Sequence, residues 1–160
     1  MDLELQQYLT ANFKNTYRQS TEFNCPDGWF CLLLWMGRYI ETYIVNQNKK
    51  SKECPDKFLP INDFLITKID KYNGILKVHY QNGNEFIEGA IAFTEYLSGF
   101  FCEMCGSTKD VQYNVTTPFV SIHTECYNKL SDEEKGKISK IFPINNKFLD
   151  LLIKNKGLVN

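Results

Sequence analysis

The chain reads as an α+β domain in which a small antiparallel sheet is packed by helices. Three observations predict this class. Apolar residues recur at helical spacing near the N-terminus and again between 84 and 101. On either side of Asn73-Gly74 they alternate instead with polar residues, as strands require. Two ligand-type pairs, Cys102/Cys105 and His123/Cys126, bracket an insert of hairpin length. With 160 residues and 43% apolar content there is enough chain for one sizeable core, and 23 aromatic side chains must mostly lie inside it.

Leu5, Leu9, Phe13 and Tyr17 fall four residues apart and predict an amphipathic helix over 3–18. Turn formers at Asn24-Cys25-Pro26-Asp27-Gly28 end that pattern, and Asp27 is placed to cap a second helix from Trp29 to about Asn46. The first half of that helix is apolar nearly all round, which puts Cys31 in the core. Residues 46–60 are Lys-rich, carry Pro55 and Pro60, and read as a loop.

From Asp63 the period changes. Phe64–Ile69 and Leu76–Tyr80 read as strands joined through Asn73-Gly74, a strong hairpin turn. A helix carrying Phe86, Ile87, Ala90, Ile91, Thr94 and Leu97 then leads to Cys102. Between the ligand pairs, 111–115 and 119–122 read as two short strands. Ser131 with Glu134 forms a capping-box signature, Phe142-Pro143 breaks the helix it starts, and Ile144, Phe148, Leu151 and Leu152 predict a last one. The expected division is a domain over 1–130, containing a module at 100–128, and a helical extension over 131–160.

A two-residue spacer lets a tight turn aim both side chains of a pair at one point, and Gly106 tolerates the positive φ where the turn closes. Cys102, Cys105, His123 and Cys126 together make a Cys3His set, the complement of a structural Zn2+, and the hairpin between the pairs makes the module zinc-ribbon-like. Glu103 and Glu125, inside the pairs, are expected to face water. His123-Thr124-Glu125 spells the H-x-E fragment of zinc deaminases, but the pair order is inverted, Phe101 replaces the proline, and Cys126 fills the position a reactive water needs. A zinc-dependent hydrolase or deaminase is therefore the second alternative. The first alternative is nucleic-acid binding through the hairpin and Lys49, Lys50, Lys52 and Lys57. The pI near 6.1 and the presence of only two arginines, Arg18 and Arg38, weigh against it.

No basic-plus-apolar leader opens the sequence, and the run Phe30–Met36 is too short and too closely followed by charge to span a bilayer. Six cysteines without such a leader fit a reducing cytoplasm and a non-membrane protein. No phosphate loop or acid/base pair is apparent, so the chain reads as a binding protein rather than an enzyme. Asp27, Trp29, Tyr72 and His79 are the candidate contacts to a ligand or partner, with a core position for Trp29 and an ordinary exposed sheet position for His79 as the competing readings.

In order along the chain, Cys25-Pro26-Asp27-Gly28-Trp29, the hairpin Ile66–Val78 and Cys102-Glu103-Met104-Cys105-Gly106 resemble a group of small bacteriophage- and prophage-encoded proteins. Those carry a C-G-D-G-W-like segment, an extended hairpin and a C-x-x-C-G zinc module. The resemblance covers about 24–127, and this chain departs from it at Pro26, where Gly is usual, and at His123, where the second pair opens with Cys. It implies an accessory protein of the host cytoplasm that engages a host or defence protein, in an anti-defence or other host–virus role. Sequestration of a nucleotide-like small molecule is the other way such a binder would work.

Overall fold

The computed structural model describes residues 1–114 and 118–138 in full, and 141–143 as backbone. In chain order the elements are α1 (Leu3–Asn12), β1 (Tyr17–Asn24), a 3-10 turn (Asp27–Trp29), α2 (Phe30–Glu53), β2 (Leu65–Tyr72), β3 (Ile75–Gln81), α3 (Glu85–Ser98), β4 (Val111–Asn114), β5 (Val120–His123), α4 (Thr124–Lys129), α5 (Asp132–Lys137) and β6 (Ile141–Pro143). The class is α+β as expected, built on two small sheets ordered β1-β2-β3 and β5-β4-β6.

The first sheet is mixed rather than purely antiparallel, because β1 pairs parallel to β2. That strand lies where the four-residue spacing extended the first helix to Tyr17. Asn12, Asn15 and Thr16 are poor helix formers, and the Glu41 carboxylate on α2 takes the Asn15 backbone and side-chain N–H groups and the Thr16 hydroxyl. The chain thus leaves α1 early and Tyr17, Thr21 and Phe23 turn inward from a strand. Helix α2 runs to Glu53, through the first half of the stretch read as a loop. Its last turn carries Lys50 and Lys52, cations that suit a helix C-terminus.

The hairpin β2–β3 forms around Asn73-Gly74, both at positive φ. Helix α3 then covers the free edge of β3. Ser98 Oγ accepts from Leu76 N–H at 2.7 Å, and Glu95 Oε1 accepts from Val78 N–H at 2.8 Å. An exposed strand edge is thereby closed to further pairing. Inward faces of β1–β3 pack with α1, α2 and α3 around Tyr17, Trp29, Leu33, Ile40, Ile66 and Ile69. Cys25 is in this core, where burial pushes its thiol up to about 12, whereas Cys31 is exposed, contrary to the core position expected for it.

The Ser131/Glu134 capping box forms as expected and starts α5. The segment 141–143 is not a helix break but a strand, antiparallel to β4. The chain beyond 131 is therefore not wholly helical; the helix expected after Ile144 lies outside the described residues.

Candidate metal centre

Sγ atoms of Cys102, Cys105 and Cys126 lie within 4.8 Å of one another, so these three thiols are placed to hold a metal ion. The first two come from a knuckle. Cys102 N–H bonds to Ser107 O at 2.8 Å, Gly106 N–H to Cys102 O at 2.9 Å, and Gly106 has a φ of 73°. Cys126 arrives from the first turn of α4, and His123 from the end of β5. His123 Nδ1 stands 3.9 Å from Cys105 Sγ.

The donor set fits a soft, tetrahedral ion. Zn–S bonds of about 2.3 Å put the sulfurs of a tetrahedron about 3.8 Å apart, so small side-chain rotations close the observed spread. The thiols are electrostatically unequal. Burial raises Cys105, but hydrogen bonds from the Ser107 backbone and the neighbouring thiols outweigh it and hold the group below the ordinary thiol range. Burial, reinforced by those same neighbours, pushes Cys126 up to about 12. A bound cation removes this conflict by favouring the thiolate at every position.

Glu103 does not face water. It is 5% exposed and joins the knuckle to three other segments. Its N–H donates to Ser121 O, its carboxylate accepts from Ser121 N–H at 3.0 Å, and Lys71 Nζ on β2 approaches Oε2 to 2.5 Å. Its carbonyl accepts from Gly28 N–H at 2.9 Å. Burial raises the Glu103 carboxyl above its ordinary range, with Lys71 and the Ser121 amide pulling against it. Glu125 is exposed, as expected.

Gly28 is the tightest point of the junction. A Cβ there would stand 2.2 Å from Cys102 O and 2.4 Å from Glu103 O, both backbone atoms. The hairpin turn closes the other side: Tyr113 OH donates to Asn73 O and Ser121 Oγ to Gly74 O at 3.5 Å. The Asp27-Gly28-Trp29 segment, the β2–β3 turn and the Cys102–Gly106 knuckle, far apart in sequence, are thus packed into one seam.

The four candidate contact residues do not form one site. Trp29 is 0% exposed and belongs to the core, so it cannot anchor a partner or stack on a base from the surface. Asp27 does not cap α2, whose N-terminus has no side-chain cap; its carboxylate accepts from Asp2 N–H at 2.7 Å. Tyr72 and His79 do share a surface. In the β2–β3 register Tyr72 pairs Ile75, Asp70 pairs Lys77 and Lys68 pairs His79, all on the sheet face turned from the helices. Tyr72 is 63% exposed, and His79 Nε2 lies 3.3 Å from Asp70.

Sequence reasoning missed Glu103, Lys71 and Ser121. Glu103 carried a signal only in hindsight, as a carboxylate in a knuckle whose partner lysine is 32 residues away. Among the described residues no helix is long and apolar enough to cross a membrane. Comparison with protein-family models gives no match, and comparison with curated proteins and with solved structures gives no significant one.

Proposed function

We propose that Cys102, Cys105, His123 and Cys126 bind one structural Zn2+, and that the chain acts by binding a partner rather than by catalysis. The observation carrying this reading is the convergence of the Cys102, Cys105 and Cys126 Sγ atoms within 4.8 Å of one another; His123 stands outside that group of three, 3.9 Å from Cys105, and closes on the ion as the fourth ligand. Thiolate and imidazole donors select zinc over the hard cations. With four protein ligands the shell is full, and no position is left at which a bound water becomes a nucleophile.

The partner is a host or defence protein met in the host cytoplasm, in keeping with the resemblance of the motif order to that of phage accessory proteins. The contact surface is the open face of the first sheet, with Tyr72 and His79. A nucleotide-like small molecule is the other ligand that this face, with an exposed aromatic ring beside an imidazole, would take. Nucleic acid is the weaker reading, because Lys68 and Lys77 at this face are each engaged by a carboxylate, Asp70 at 2.9 Å and Glu95 at 3.1 Å.

Native mass spectrometry of the purified chain tests the metal assignment: one zinc per chain is expected, weakened in His123→Ala and lost in Cys102→Ser. A chain that carries no zinc, or whose zinc affinity is unchanged in His123→Ala, overturns it. Hydrolytic activity that survives Cys126→Ser and vanishes in Glu125→Gln overturns the non-catalytic reading.

A further inference from the structure

A wide concavity lies away from the metal centre, between α2 and α3. It encloses about 980 Å³ and its lining is mostly apolar and aromatic. Trp35 is 64% exposed, Tyr39 58% and Phe93 50%, and Phe86 is also exposed at the rim. Exposed aromatic rings leaving roughly 100 Å² each in water make an apolar patch of several hundred Å², a large share of the ~800 Å² per partner in a standard interface. A patch of this size on a helix pair marks an interaction site.

The charges around the groove say what its partner is. Helix α2 lines it with Arg38 and Lys50, and α3 with Glu85 and no base. Lys50 lies over the Phe58 ring at 5.6 Å. Arg38 lies over its neighbour Trp35 at 5.8 Å, and among the described residues neither Arg38 nor Glu85 makes a salt bridge. One rim thus carries an unanswered cation and the opposite rim an unanswered anion. They stand near one level, because Tyr39, next to Arg38, stacks at 5.2 Å on Phe86, next to Glu85.

We propose that this groove is a self-association surface, and that its occupant is the same α2–α3 pair of a second copy. A two-fold axis running along the groove lays α2 of each copy on α3 of the other. It converts the exposed rings into a shared four-helix core and sets Arg38 of each copy beside Glu85 of the other. Between Phe86 and Phe93, a Cβ added to Gly89 would meet nothing within 4 Å, which leaves space for a large ring from the facing helix. The interface is isologous, so every contact is made twice. It also leaves the metal module and the open sheet face free.

Sedimentation equilibrium of the full zinc-loaded chain is the test. The expected species has twice the 18.7 kDa chain mass. Trp35→Ala, an exposed position whose loss leaves the fold intact, weakens dimerisation by about 100-fold or more, as removal of a central aromatic anchor used twice requires. Arg38→Glu and Glu85→Arg each weaken it by at least about tenfold, because each homodimer then faces like charges. Mixing these two variants restores a dimer containing one of each, since both rim pairs are again opposite in sign. A chain that sediments as a monomer up to millimolar concentration overturns the proposal and leaves the groove to a foreign helix or an apolar ligand. A dimer indifferent to Trp35→Ala, or charge variants that fail to rescue each other, overturns it equally.

Discussion

The helical body and the metal module solve the same problem of cohesion by different means. Eighteen buried side chains form the body's core, whereas the module's described core is Cys102, Val111, Ile122 and Cys126, half of it thiols. Full burial of an aliphatic side chain contributes about 1.5–3 kcal/mol, and two such residues do not offset the entropy of ordering a three-stranded sheet. The body is held by apolar area; on the proposed reading the module is held by its metal. Chelation with a strong zinc ligand, or Cys102→Ser, therefore has the largest expected effect, removing on the order of 10 kcal/mol from the module. Hydrogen exchange should show the amides of β4 and β5 losing protection while β2 and β3 keep theirs. Simultaneous loss in both sheets would mean that the body, too, depends on the ion.

The seam between the two regions is the next place to break the comparison. A methyl group at Gly28 would press on the carbonyls of Cys102 and Glu103, and neither backbone can move without opening the knuckle. Gly28→Ala should cost about 3 kcal/mol or more, at or beyond the upper end of ordinary overpacking. Gly136, on α5 with nothing within 4 Å of an added Cβ, is the control, and Gly136→Ala should stabilise by a few tenths to about 1 kcal/mol. Denaturant midpoints separate the two. Equal midpoints would show that module and body are not pressed together at Gly28.

Legibility in the sequence follows the range of the interactions. The β2–β3 hairpin, α3, the two module strands and the capping box were all readable, because each depends on neighbours a few residues away. The three cysteines were readable because the Cys102–Gly106 knuckle is local and its two-residue spacing recurs at His123 and Cys126. Strand β1 was not, since its partner β2 lies more than 40 residues on and its residues fit a helical stripe just as well. The junction was least readable. Glu103 looked like a solvated acid until Lys71, Gly28 and Ser121, from three separate segments, converged on it. Trp29 illustrates the same limit: a Trp after Asp-Gly reads equally as surface anchor or core, and only packing decides.

The smallest expected effect separates the regions by pH. On the body's open face, a hydrogen bond from Lys68, aided by Asn24 and by the charges of Lys68 and His79, holds the Asp70 carboxyl below its ordinary range. A depressed folded pKa means that the contribution is complete above the unfolded value, about 3.9 for an aspartate, and is lost as pH falls through the lower folded one. Asp70→Asn should therefore cost under about 1 kcal/mol at neutral pH, as for other surface pairs, and flatten the acid limb of body stability below about pH 4. On the proposed reading the module destabilises earlier on the same descent, because protons compete with a bound metal for its ligands. Two acid transitions are expected, the module's first, and only the second should respond to Asp70→Asn. If that substitution shifts the first transition instead, the open face and the metal centre are coupled through β2, whose Lys71 reaches Glu103 one residue beyond Asp70.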